Sequence, residues 1–179
     1  MRAQRGFTIL EIVVSTSLMA MVSGVLVNTL RVSQQAWQMQ QSHLSAFQEL
    51  RRGMDAMSRV VVSSRMDQLS IPADDNWYAG LTFRVPEDRD GDGSVLDAAD
   101  AVEWSDPILY SVRGFNGTQL MRTQTGASDR VLANDVIGLR FRRQSATPSV
   151  VEIEMTVFWR NTVGSTQSST LRSRVQLRN

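Results

Sequence analysis

Two sets of carboxylates stand where their spacing could do chemistry. The larger is the run Glu87-Asp88-Arg89-Asp90-Gly91-Asp92-Gly93-Ser94-Val95-Leu96-Asp97-Ala98-Ala99-Asp100. Asp88, Asp90, Asp92 and Gly93 fall at positions 1, 3, 5 and 6 of a calcium loop, where alternating carboxylates converge on a hard cation and glycine permits the sharp turn. Ser94 would add a backbone carbonyl at position 7. Position 12 is Ala99 rather than a bidentate glutamate, so Asp97, Asp100 or Glu103 would have to close the shell. No helical pattern flanks the run, which excludes an EF-hand pair. Five aspartates within 13 residues repel one another without a cation, so the expected metal set is Asp88, Asp90, Asp92, Asp97 and Asp100, and the expected ion is calcium. The competing reading is a solvated turn, since Asp and Gly favour turns for reasons of their own.

The second set is a single residue. From Phe7 to Leu30 there are 24 residues with Glu11 as the only charge. At about 1.5 Å per residue a helix of that length crosses a hydrocarbon core of about 30 Å. A carboxylate in such a segment costs roughly 2.5–3.5 kcal/mol at mid-bilayer and less near an end, so it calls for a partner; otherwise it must snorkel to the interface. Arg2 and Arg5 precede the run, and the positive-inside rule keeps that end cytoplasmic and sends the rest of the chain outward. A secretory signal would have a shorter apolar region ending in a small-residue cleavage site; Val22-Ser23-Gly24 imitates one, but the apolarity continues through Val25, Leu26 and Val27.

Other side chains offer less. The chain has no cysteine, which removes disulfides, thiolate nucleophiles and Cys-ligated zinc. His43, the single histidine, has no serine–base–acid pattern around it and is expected at a surface or helix–sheet contact. Arg140, Arg142 and Arg143 make a small basic patch that could meet DNA phosphates, but arginines on the polar face of a strand usually answer acids such as Glu152 and Glu154. The 19 basic residues, all arginine, nearly balance 18 acidic ones, which argues against a general nucleic-acid-binding or membrane-coating protein. Trp37, Trp77, Trp104 and Trp159 are expected in core or inter-subunit packing. Gly91 and Gly93 lie among acids that would repel phosphate, so no phosphate loop is present.

Positioning these groups requires a long helix and a β domain. Apolar residues at Leu44, Phe47, Leu50, Met54, Met57 and Val61 step by three or four, and no proline precedes Pro72, so one helix is expected from Phe7 to about Arg65. Such a rod would be about 85–90 Å long at about 1.5 Å per residue, with a bend or melted turn at Gly24. Strands are expected at Tyr78–Val85, Ile108–Val112, Gln119–Arg122, Val136–Arg142, Val150–Arg160 and Thr170–Leu177. Asn116-Gly117 signals a hairpin, and Gly164-Ser165 a turn. In Val136–Arg142, Ile137, Leu139 and Phe141 should share one face; in Val150–Arg160, Val151, Ile153, Met155, Val157 and Trp159 should oppose Glu152, Glu154 and Thr156. The fold class is α+β, a long N-terminal helix packed on an antiparallel sheet. Its parts are a leader at 1–6, a transmembrane half-helix at 7–30, an amphipathic half at 31–66, and an extracytoplasmic β domain at 67–179 with the acidic loop at 87–103.

Arg5-Gly6-Phe7-Thr8-Ile9-Leu10-Glu11-Ile12 resembles the cleavage and methylation motif of type IV prepilins and type II secretion pseudopilins. The resemblance implies that prepilin peptidase cuts after Gly6 and methylates Phe7. It also implies that Glu11, at mature position five, pairs in the membrane with the free amino group of a neighbouring subunit's first residue. A retained Glu11 then implies a subunit above this one to pair with. The chain's size, its Gln-rich then Arg-bearing helix and its strand order look like PilW-like minor pilins or J-class minor pseudopilins, the former favoured by the calcium-type loop. The implied life history is a single-pass inner-membrane precursor with a periplasmic domain, then incorporation beside other pilins in a pilus or pseudopilus, without catalysis. A membrane-anchored binding or enzymatic domain is the alternative in another class; no convergent catalytic set supports it.

Overall fold

The computed structural model describes residues 8–160 and 165–178 of the chain. Helix α1 spans Ile9–Val61, 53 residues. It runs through Gly24 without interruption, so no turn is melted there, and nothing approaches within 4 Å of where a Cβ would be. The chain divides into two compact units at Gln41/Ser42, and α1 contributes to both. In the first unit, every described residue from Thr8 to Gln41 is exposed. An apolar surface of that kind suits hydrocarbon or neighbouring helices, not water.

The second unit contains the last turns of α1 and seven strands: β1 (Leu81–Phe83), β2 (Ile108–Arg113), β3 (Gln119–Gln124), β4 (Arg130–Ala133), β5 (Val136–Gln144), β6 (Thr147–Arg160) and β7 (Thr166–Gln176). All pair antiparallel, but in two sheets, ordered β1-β2-β3-β4 and β5-β6-β7. The Tyr78↔Phe141 bridge and the bond from Val136 N–H to the Thr118 carbonyl, 2.9 Å, join them. The architecture matches the sequence expectation, with the one sheet resolved into two and a seventh strand, β4, added to the six expected.

The apolar face of α1 is Ala46, Leu50, Gly53, Met54, Met57 and Val61. Leu44 and Phe47, expected on the same stripe, are exposed, because the small residues Ala46 and Gly53 define the line along which the helix meets the sheets. That face joins a core of Leu81 and Phe83 from β1, Ile108 and Tyr110 from β2, Leu120 from β3, Ala133 from β4, and the inward residues of β5, β6 and β7. Phe83 and Tyr110 meet with ring centroids 5.2 Å apart. Burial pushes the Tyr110 hydroxyl up to about 12. Ser64 ends the helix region by donating its Oγ to the Arg84 carbonyl at 2.7 Å, after two tightened turns that close on Val60 and Val61.

Local departures from expectation have local causes. β1 keeps three residues of the eight expected, since Tyr78 bridges to Phe141 and Pro86 to Trp104 instead. The Asn116-Gly117 pair does turn the β2–β3 hairpin, both at positive φ with Thr118 N–H donating to Phe115 at 3.2 Å. Its loop is nonetheless five residues, because Arg113 pairs with Gln119. A register shift between Val136 and Gly138 places Val136 in the core and Ile137 outside, so Ile137 does not share the face of Leu139 and Phe141. β7 begins at Thr166, earlier than its apolar pattern indicates; Gly164 of the expected turn lies outside the described residues.

β6 alternates as expected, and its polar face carries a charged ladder. Glu154 accepts from Arg140 of β5 and from Arg172 Nε of β7 at 2.5 Å; Glu152 accepts from Arg142 Nε at 2.9 Å and Arg174 Nε at 2.8 Å. Trp77 lies over Arg140 and Arg142, with Arg142 Cζ 4.7 Å from its ring centroid. Arg143 does not join the basic patch. It faces inward, donating to the carbonyls of Ile71 (2.9 Å), Met66 (3.3 Å) and Pro148 (3.0 Å), and so fastens the segment after α1 to the sheet.

Two predictions follow from this packing. A Cβ at Gly53 would stand 2.9 Å from Ala133 Cβ and 3.2 Å from Leu120 Cδ2 and Met155 Cε. Overpacking of about 1–3 kcal/mol then exceeds the helix-propensity gain of about 1 kcal/mol, so Gly53→Ala should lower the thermal midpoint of the full chain in detergent, while Gly24→Ala should not.

The second concerns acid. Burial, the largest single influence on Glu152 and Glu154, pushes both carboxyls up; the hydrogen bonds and charges of Arg142 and Arg174, and of Arg140 and Arg172, together outweigh it and hold both below the ordinary 4.5. The folded state therefore binds fewer protons here than the unfolded chain, so this stabilisation is complete above pH 4.5 and is lost as pH falls through the lower folded values. Thermal melts against pH should show wild type losing its advantage over the Glu152→Gln/Glu154→Gln variant across that acid range. A constant gap down to the lowest pH would contradict it.

Candidate functional site

The start of α1 is built by Thr8 and Glu11. Thr8 N–H donates to Glu11 Oε2 at 3.4 Å, and Glu11 N–H donates to Thr8 Oγ1 at 3.3 Å, while Ile12 N–H makes the first helical bond to Thr8 at 3.2 Å. This is a reciprocal capping box, and it satisfies donors that would otherwise be bare at the helix N-terminus, where a negative charge is also favoured by the helix dipole. The Thr-x-x-Glu spacing before an apolar run carries that signal, which a reading of Glu11 as an intermolecular partner passes over. Gly6 and Phe7, the expected processing pair, lie outside the described residues. The helix that follows is long and apolar enough to cross a membrane, and its most apolar window is unburied. Glu11 is therefore an exposed acid one turn into an apolar helix, held by its own chain through one oxygen.

The acidic loop is anchored before it is charged. Ser105 N–H donates to Val85 at 2.8 Å, Glu87 N–H to the Glu103 carbonyl at 3.0 Å, and Glu103 N–H to Val95 at 2.9 Å, with Pro86↔Trp104 and Leu96↔Val102 bridging the two arms. Between them the carboxylates organise the turn. Asp88 accepts from Gly91 N–H (2.7 Å) and Gly93 N–H (2.8 Å), Asp90 from Asp92 N–H (3.1 Å), and Asp92 from Ser94 N–H (2.7 Å). Gly91 and Gly93 make this possible by taking φ of 79° and 86°. The N–H groups of Gly91 and then Gly93 hold the Asp88 carboxyl below the usual carboxylate range.

Of the acids named from sequence, Asp88 and Asp90 come together with Glu103: one oxygen of each lies within 4.8 Å of the others. Glu103 is fixed by Arg89 N–H at 2.7 Å. Asp92 serves its own turn, and Asp97 accepts from Ala99 (2.8 Å) and Ala101 (3.0 Å); neither they nor Asp100 belong to the three-oxygen cluster. Three hard oxygens on a hydrogen-bonded loop are a fair donor set for calcium, with water or backbone carbonyls needed for the remaining positions.

His43 lies on α1 with its ring edge-on to Trp159, centroids 5.0 Å apart, and stacked on Phe47 at 6.5 Å; it makes the helix–sheet contact expected of it. Trp37 is exposed on the helix.

Residues 1–27 match the family model described as the prokaryotic N-terminal methylation motif. No curated protein and no solved structure matches the chain. The matched stretch covers the capping box and most of the apolar half of α1, and it supports a type IV pilin or pseudopilin processed by prepilin peptidase, a structural subunit anchored by a single membrane-spanning helix.

Proposed function

We propose that the chain is a minor pilin: inserted with its C-terminal domain in the periplasm, cut after Gly6, methylated at Phe7, and built through α1 into a type IV pilus, or into the complex that primes one. The observation that carries the reading is Glu11, the sole charge in the apolar stretch from Phe7 to Leu30 that follows the methylation motif's glycine and whose helix is unburied. In hydrocarbon this acid needs a cation, and cleavage after Gly6 creates one at the N-terminus of each processed subunit. The capping box supplies an interim partner for a subunit waiting in the membrane. Glu11→Ala should therefore leave membrane insertion and processing intact but deplete the subunit from sheared filaments; normal incorporation would sink the proposed pairing. Mass spectrometry of the mature chain should find N-methylated Phe7 at its start. Deletion in the host should abolish surface pili and twitching with secretion unchanged, and the opposite outcome would make the chain a minor pseudopilin of a type II secretion system.

We propose further that the loop at 87–103 binds calcium through Asp88, Asp90 and Glu103. Support comes from the convergence of those three oxygens and the fixed backbone around them. Chelation should lower the melting temperature of wild type, calcium should restore it, and Asp90→Ala should abolish the response. A melt indifferent to calcium in wild type would return the loop to being a turn. Affinity is expected in the range of extracellular modules, about 10⁻⁴–10⁻³ M.

A further inference from the structure

β7 is an outer strand of 11 residues that, among the described residues, pairs with β6 alone. Leu177 N–H donates to Ser149 at 2.8 Å, and pairing from Val150↔Gln176 to Arg160↔Thr166 has no register shift. In an antiparallel ladder this gives the odd-numbered residues of β7 the bonds to β6 and turns the backbone N–H and C=O of Thr170, Arg172 and Arg174 toward the open edge. The edge is a template for another strand.

The side chains of that edge say which strand it fits. Across the outer face the charges alternate by column: Arg140 and Arg142 on β5, Glu154 and Glu152 on β6, Arg172 and Arg174 on β7. Within these three columns four arginines face two glutamates, an excess of positive charge. The glutamates are sunk, at 3% and 7% exposure, whereas the side chains of Arg172 and Arg174 are 73% and 74% exposed. Both edge arginines spend only Nε on the ladder, and among the described residues their Nη groups make no hydrogen bond. A guanidinium fork presented that way matches a carboxylate. A second copy of β7 is the poorer match: it carries no carboxylate, and an antiparallel pair centred on Ser173 would set Arg172 against Arg174 twice.

We propose that the β7 edge receives an extended strand of a partner protein bearing carboxylates at two alternate positions, which joins the three-stranded sheet and adds an acidic column beside Arg172 and Arg174. Main-chain bonds would supply much of the affinity and the charge column the register and the selectivity. The proposal stands independently of filament assembly.

The test uses the full chain in detergent micelles and a labelled peptide, Thr-Val-Glu-Val-Glu-Val-Thr, followed by fluorescence anisotropy. Saturable binding is expected, weakened by about tenfold or more when both glutamates become glutamine, when the peptide's edge-facing amides are N-methylated, or in the Arg172→Gln/Arg174→Gln variant. The two peptide changes are read on the unaltered chain, so a poorly folded arginine variant does not decide the matter. Absence of saturable binding, or equal binding of the N-methylated peptide, overturns strand addition. Displacement of the peptide by a short duplex DNA that binds more tightly would make the face a phosphate site instead.

Discussion

The seam along Ala46, Leu50, Gly53, Met54, Met57 and Val61 is the constraint on which the folded domain depends. Two sheets whose strands are mostly short have no reason to share a core unless something lies across both. Gly53 lets α1 do so at close range: its missing Cβ leaves room for Ala133 of β4, Leu120 of β3 and Met155 of β6, which belong to both sheets. A helix with a larger residue there would stand off, and the cavity or strain would be felt by all three strands together. The first half of α1 answers to a different solvent. From Thr8 to Gln41 its apolar residues are exposed, which suits a segment made for lipid.

What was legible in the sequence was whatever rests on periodicity. β6 alternates from Val151 to Val157, and both its buried and its charged face read directly from the residues; so did the pairing of Arg140 and Arg142 with Glu154 and Glu152. The same alternation places Arg143 on the inward side with Phe141, but three arginines close together read more readily as a patch than as a split between faces. Ile137 was misplaced because a bulge resets the count, and no residue type announces it. β4 was missed because four residues, Arg130 to Ala133, are too few for a pattern, and the start of β7 because Thr166, Gln167, Ser168 and Ser169 carry no apolar signal. In the acidic loop the spacing identified Asp88 and Asp90 and offered Glu103 beside Asp97 and Asp100 to close the set, but the choice of Glu103 depends on how two arms 14 residues apart are bonded together, which spacing cannot supply.

The charged ladder on β5, β6 and β7 has a role in specification that its energy alone does not convey. Removing two carboxylates from water is costly, and ion pairing often does little more than offset that cost. A one-residue slip of β6, however, would carry Glu152 and Glu154 into the core and expel Val151, Ile153 and Met155. Because each glutamate holds an arginine on both sides, the slip would have to break pairs with β5 and β7 at once. The ladder therefore fixes the register of all three strands together, and it makes the wrong alignments expensive more than it makes the right one cheap. The same device leaves a polarity at the sheet's end: the column of arginines on the last strand disfavours the self-paired register centred on Ser173 while favouring an acidic strand along the backbone edge, and both effects come from the same two residues, Arg172 and Arg174.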